Sequence, residues 1–180
     1  MQGLKIVLKK PERADLPAIA ALWGDAATMK EVGGPLSWPE EKFAKWFEKV
    51  SASRSDCYFL VLDQAGGCVG EASFHDYKAA EGTARLNLKI AAAHRGRGYG
   101  REAALLLLHH FFHDLDGQAM TDDIAPGNSG AQKLFLSLGF ERLPEHKDVF
   151  FVRLTKDRFY RLNMAYFQQT MRRNKETFGV

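Results

Sequence analysis

Residues 94–100 read HRGRGYG, and what stands on either side of them decides how they must fold. The preceding stretch, Thr83 to Ala93, sets Leu86, Leu88 and Ile90 against Arg85, Asn87 and Lys89, the two-residue period of a strand with unlike faces. The following stretch, REAALLLLHHFFHDL, is too long for a strand and rich in strong helix formers. A strand that passes into a helix through three closely spaced glycines commits the chain to an α/β junction at mid-length.

The rest of the pattern surrounds that junction. LKIVL, Leu4 to Leu8, is a short β-rich run. Asp15-Leu16-Pro17 opens a helix that carries Ile19, Leu22 and Trp23 to about Gly24, and Ser37-Trp38-Pro39 opens another with Phe43, Trp46, Phe47 and Val50 on one face. YFLVL and CVGEASF, Tyr58 to Leu62 and Cys68 to Phe74, pair antiparallel through a glycine-containing loop. Gln118 to Ala125 predicts a strand, Asn128 to Leu138 a helix, and Gly139-Phe140 opens a hairpin returning through Val149 to Leu154. From Thr155 on, Phe159, Leu162, Met164, Phe167 and Met171 recur at loosely helical spacing. The expected class is α/β (α+β), a mixed sheet with helices on both faces. One domain is expected over residues 1–155, with a helical extension over 156–180 that packs on it or, preferably, against a second copy in a homodimer.

Composition narrows the functions. The 180 residues are 46% hydrophobic and 26% charged, the balance of a globular domain able to bury a core. Twenty-five basic against 22 acidic residues leave a net charge of +3, bunched only at Arg172, Arg173 and Lys175, so nucleic acid is not an expected partner. The first residues lack a signal-peptide pattern and no apolar run is long enough to span a bilayer, from which a cytoplasmic protein without a membrane partner is expected. Cys57 and Cys68 have neither metal-site nor disulfide-framework spacing; they are expected in or near the core, and no metal is expected.

Glycines at a helix N-terminus leave backbone N–H groups uncovered, and the helix dipole with Arg95, Arg97 and Arg101 adds positive field, so the stretch is either an anion site or a flexible basic loop. The absence of a GKS or GKT ending and the G-x-G-x-G spacing exclude the two common nucleotide loops. Arg95-Gly96-Arg97-Gly98-Tyr99-Gly100 matches the pattern Q/R-x-x-G-x-G/A, and Asn128, Ala131, Leu134, Gly139 and Phe140 match N-x-x-A-x-x-L-x-x-x-x-G-F. On these two motifs the chain resembles the GNAT family of N-acetyltransferases, closest in pattern to the branch of ribosomal-protein N-terminal and small-molecule acetyltransferases.

The resemblance implies a splayed cleft that binds acetyl-CoA as co-substrate. The amides of Gly96, Arg97, Gly98, Tyr99 and Gly100, with Arg95, are then expected on the pyrophosphate, and the backbone of Leu88, Ile90 and Ala91 on the pantetheine arm. Asn128 is expected either on the pantetheine or as the cap of its helix, and Arg97, Arg101 and Lys133 either on the ribose phosphate or as solvated charges. The expected reaction is direct acetyl transfer to a primary amine or peptide N-terminus, which needs a neutral amine, a donor for the oxyanion and a proton for the thiolate. Asp123 is the first candidate for the base, then Glu71, with His75 behind them; strand alternation turns Asp122 to the opposite face from Asp123. The tyrosine that often protonates the thiolate in the family falls at Phe135, which has no proton to give. That departure keeps a second reading open, a non-catalytic acyl-CoA-binding sensor. Trp23, Met29, Trp38, Trp46, Phe74, His75 and Tyr77 are read either as an acceptor pocket or, at helical spacing, as core.

Overall fold

The computed structural model describes residues 1–143 and 149–178, with residues 171–178 described as backbone only. Among them seven strands form one sheet: β1 (Ile6–Lys9), β2 (Cys57–Asp63), β3 (Cys68–Lys78), β4 (Thr83–Ile90), β5 (Ala119–Ile124), β6 (Glu141–Arg142) and β7 (Phe150–Thr155). Their order is β1-β2-β3-β4-β5-β7-β6, antiparallel everywhere except between β4 and β5. The expected mixed α/β class is the observed one.

Strand alternation distributes side chains to two cores. On β2, Tyr58 and Leu60 join Leu16, Ile19, Leu22, Trp23 and Phe43 from α1 (Leu16–Gly24) and α3 (Glu40–Ala52). Phe59 and Val61, between them in sequence, join the opposite core with α4 (Tyr99–His109), α5 (Ser129–Leu138) and α6 (Lys156–Phe178). Between α1 and α3 lies a one-turn helix, α2 (Ala26–Met29), which the sequence reading missed.

α4 is buried along the whole of Ala103 to Leu108, so its apolar character on every side has a cause. The N-terminal strap and α6 close over it through Glu102, whose carboxylate accepts the N–H groups of Leu4 and Lys5 and the Tyr166 hydroxyl at 2.8 Å. Phe159 and Phe167 are buried in this same core. The preferred expectation that the apolar residues of the last helix face a second copy is therefore corrected for these two; Leu162 and Met164 are the exposed ones, and the side chain of Met171 lies outside the described residues.

Two boundaries also differ from expectation. β4 stops at Ile90 rather than running to Ala93, because the Ala92 N–H is taken by Thr28 Oγ1 at 2.9 Å and residues 92–94 turn into a short 3-10 helix. α4 widens after His109 into a π turn over His110–Asp114, with His110 and His113 both bonded to Asp114. The hairpin after Phe140 is present as β6 and β7, with residues 144–148 outside the described part.

Candidate active site

The ladder between β4 and β5 is short. Only Thr83, Ala84 and Arg85 pair with Ala119, Met120 and Thr121, while β4 continues to Ile90 and β5 to Ile124. Past Arg85 the two strands part and leave a wedge in the middle of the sheet.

Hydrogen-bond parity shows what lines its edges. The Ala91 N–H donates to Val69 O at 2.9 Å, so the odd residues of β4 direct their peptide groups to β3. Leu86, Leu88 and Ile90 consequently turn theirs into the wedge. On the other wall, Leu143 N–H donates to Phe151 O at 3.0 Å, so Phe151 directs its peptide groups to β6 and forms a non-hydrogen-bonded pair with Asp123. The peptide groups of Asp123 therefore also face the wedge. Parity corrects one expected residue: Ala91 has its N–H on Val69 and its carbonyl on the His94 N–H, so its backbone is not available to a ligand.

At the open end stands the glycine loop. Gly98 is the N-cap of α4 at φ 84°, a left-handed conformation that glycine adopts without strain. No side chain caps this helix, and its first internal bond runs from Glu102 N–H to Gly98 O at 3.2 Å. The N–H groups of the first turn are thus uncovered and face outward, where the helix dipole favours an anion. Lys5 Nζ lies beside the loop, bonded to Arg97 O at 3.2 Å, a cation that its distance in sequence concealed.

The loop and the free edge of β4 share one cavity of about 550 Å³. Of the expected cofactor residues it is lined by Leu88, Ile90, Arg95, Gly96, Gly98, Tyr99, Gly100, Arg101 and Asn128, with Leu134 and Phe135 on the α5 wall. Arg97 and Lys133 do not line it. Arg97 faces a separate depression with Lys5, Asp63 and Gln64, and Lys133 is exposed on α5. Arg95 is tied to the fold, its Nε on Ile90 O at 3.1 Å and its other end on Thr28 O at 2.7 Å, so it fixes the end of β4 against α2. Arg101 bridges to Ser137 on α5 at 3.0 and 3.1 Å. Asn128 serves as the helix cap, its Oδ1 accepting the Ala131 N–H at 3.0 Å, which directs its Nδ2 as the half available to a ligand. Of the two roles expected of it, the cap is the one observed.

The two expected catalytic carboxylates are not brought together. Glu71 is fully buried under α1 and receives Trp23 Nε1 at 2.6 Å, the Tyr58 hydroxyl, Asn87 Nδ2 at 3.2 Å and Lys89 Nζ at 2.5 Å. With both oxygens engaged by donors it is the hub of a polar network rather than an open base, which corrects that part of the expectation. Burial and the Glu71 charge hold the Tyr58 hydroxyl far above its ordinary pKa, so it stays a donor. Asp123 is exposed on β5 and paired with Arg85. His75 stands farther out on β3, half-exposed, with Asp76 at 3.9 Å. The residues read as an acceptor pocket or core resolve as core: Trp23, Met29 and Phe74 are buried, and Trp38 and Trp46 pack edge-on against Trp23 at 5.4 and 4.8 Å.

A parted β4/β5 edge with a glycine-capped helix at its mouth frames the candidate site, and comparison with known proteins supplies the family. Residues 5–141 match the family model described as the acetyltransferase (GNAT) domain, and the chain belongs to that family of N-acetyltransferases. It is 24% identical over 116 residues to the SPbeta prophage-derived uncharacterized N-acetyltransferase YokL of Bacillus subtilis (strain 168), the match spanning 64% of this chain and 63% of that one. Its fold is similar to that of the Vibrio cholerae spermidine N-acetyltransferase solved with CoA and spermine: TM-score 0.79, 19% identity, 86% of this chain and 97% of that one. A putative acetyltransferase from T. thermophilus superposes with TM-score 0.76 at 18% identity, covering 94% and 95% of the two chains. Among the described residues no helix is long and apolar enough to cross a membrane.

Proposed function

We propose that this protein moves an acetyl group from acetyl-CoA to a primary amine by direct transfer inside the wedge. The observation that carries the reading is the shared cavity in which the uncovered amides at the start of α4 meet the free edge of β4. The loop amides and Arg101 take the pyrophosphate, and the arm lies along Ile90 and Leu88, whose N–H groups are the donors available to the thioester oxygen. Oxyanion stabilisation by such fixed dipoles contributes about 3–4 kcal/mol to a barrier of this kind.

The acceptor enters from the face that carries Arg85 and Asp123. Asp123, exposed there, is the carboxylate an incoming ammonium can reach and the base proposed for it. A polyamine is the first acceptor to test, since the Vibrio cholerae neighbour is a spermidine enzyme and Glu31 adds a further carboxylate at the cavity. The test is release of CoA thiol from acetyl-CoA in the presence of polyamines, amino acids, peptides and aminoglycosides. Amine-dependent release with a matching acetylated product supports the reading. Saturable CoA binding without release for any acceptor overturns it in favour of an acyl-CoA sensor.

A further inference from the structure

The proposed transfer site lies at the N-terminal end of α4. The other end of this 11-residue helix, about 16 Å away at about 1.5 Å per residue, carries a second group of reactive side chains. There the π turn His110–Asp114 meets Cys57, the first residue of β2. Cys57 Sγ lies 3.9 Å from His110 Nε2, and His110 Nδ1 lies 2.6 Å from Asp114 Oδ2. None of the three lines the cavity beside the glycine loop.

The carboxylate fixes where the protons sit. Hydrogen bonds from His110 and His113 hold the Asp114 carboxyl below its ordinary range, so it is ionised at neutral pH and can only accept. His110 therefore carries a proton on Nδ1, and in its neutral form it presents the lone pair of Nε2 to the Cys57 thiol. Phe59, edge-on at 5.7 Å, packs against the ring. A thiol, a base within reach of it and a carboxylate that orients the base are the parts of an activated sulfur nucleophile. Cys68 supplies the contrast. It is also half-buried, but its Sγ donates to Gly70 O at 3.7 Å, and among the described residues no imidazole is bonded to it. Burial raises both thiols, so both rest protonated and the base is what sets Cys57 apart.

We infer that Cys57 is the nucleophile of a modification site for hydroperoxides, with His110 as its base and Asp114 as the residue that positions the base. The sulfur attacks one peroxide oxygen while His110 Nε2 takes the thiol proton. A sulfur–oxygen bond forms and the oxygen–oxygen bond breaks. The departing hydroxide collects the proton from the imidazolium and leaves as water, so His110 ends neutral as it began and Cys57 is left as the sulfenic acid. Hydroxide departs readily only when it is protonated as it goes, which the imidazolium provides. The partial exposure of Cys57 suits an oxidant as small as hydrogen peroxide.

The test exposes the full chain to hydrogen peroxide with dimedone present to trap sulfenic acid, and reads Cys57 and Cys68 separately by mass spectrometry. Cys57 is expected to be trapped about tenfold or more faster than Cys68 near neutral pH. His110→Gln and Asp114→Asn are each expected to slow Cys57 by about tenfold or more and to leave Cys68 unchanged, in proteins whose urea unfolding matches the wild type. Asp114→Asn keeps the imidazole in place, so it tests the base where His110→Gln fails to fold. The wild type alone gives a further readout. The charged groups around the pair are Asp114, His109 and His113 from the end of α4 and Lys10 next to β1. The Cys57 rate is expected to level off above about pH 7.5, where an ordinary imidazole is neutral, while the Cys68 rate climbs with its thiolate. Equal rates at the two cysteines, a Cys57 rate that neither substitution moves, or one that climbs with pH as that of Cys68 does, overturns the inference. None of these readouts depends on acetyl transfer.

Discussion

Replacing Glu71 with alanine is the sharpest perturbation of the network under β4. Glu71 is fully buried and Lys89, its partner at 2.5 Å, is 13% exposed, so the change leaves an ammonium without its carboxylate in a nearly closed site. Removing one member of such a pair costs about 3–5 kcal/mol. Trp23 Nε1 and the Tyr58 hydroxyl lose their acceptor as well, each worth about 1–3 kcal/mol when left unpaired. These losses share one site and do not add, and water entering the vacated volume offsets part of them, so about 4 kcal/mol is expected. With a urea m-value of about 2 kcal/mol/M, that lowers the unfolding midpoint by about 2 M at constant slope. Adding Lys89→Met removes the orphaned cation and returns about 2 kcal/mol in a double-mutant cycle. A loss under about 1 kcal/mol for Glu71→Ala, or strict additivity with Lys89→Met, refutes the view of Glu71 as hub. Full loss of transfer in a Glu71→Gln protein of wild-type stability does the same, since it points to a direct catalytic part.

Three further outcomes follow from the geometry. Arg95→Ala removes the tie between Ile90 O and Thr28 O; it lowers stability by about 1–3 kcal/mol and raises the KM for acetyl-CoA with little change in kcat, read by urea unfolding and steady-state kinetics. Phe135→Tyr sets a hydroxyl on the cavity wall and leaves transfer intact, read by steady-state kinetics; complete loss of activity in a well-folded variant shows that Phe135 has a packing role that a hydroxyl disturbs. Asp122 has a stability signature. Its folded pKa is raised by burial, so the folded state holds a proton that the unfolded state releases near pH 3.9, and stability falls as pH rises from there toward about 7. Asp122→Asn therefore gains stability relative to wild type between about pH 4 and pH 8 in paired unfolding curves, and a constant difference contradicts the shift.

The loop, the strand before it and the helix after it were legible because glycine density and a change of period from two to helical are local signals, and Gly96, Gly98, Gly100, Leu88 and Ile90 line one cavity. What escaped the sequence depends on pairing across the chain. That Ala91 is spent on Val69 while Ile90 is not follows from β3–β4 parity, which no linear pattern encodes. Lys5 and Thr28 reach the site from far upstream, through the strap over α4 and through the one-turn α2. Glu71 was singled out correctly as a carboxylate that needs a reason, but its donors come from three other elements, so its enclosure was invisible. Asp122 was separated from Asp123 by alternation alone. Its position at the point where β4 and β5 part depends on where their ladder ends.

Calorimetric titration of the protein with acetyl-CoA, beside the Gly98→Val variant, tests most directly whether wedge and loop hold this donor. At φ 84° a β-branched residue is strained by about 1–3 kcal/mol, and its side chain covers the amides at the start of α4. The wild type is expected to bind one equivalent, displaced by CoA, and the folded variant to bind at least tenfold more weakly. Absence of binding by the wild type, or equal affinity in a well-folded variant, contradicts the account.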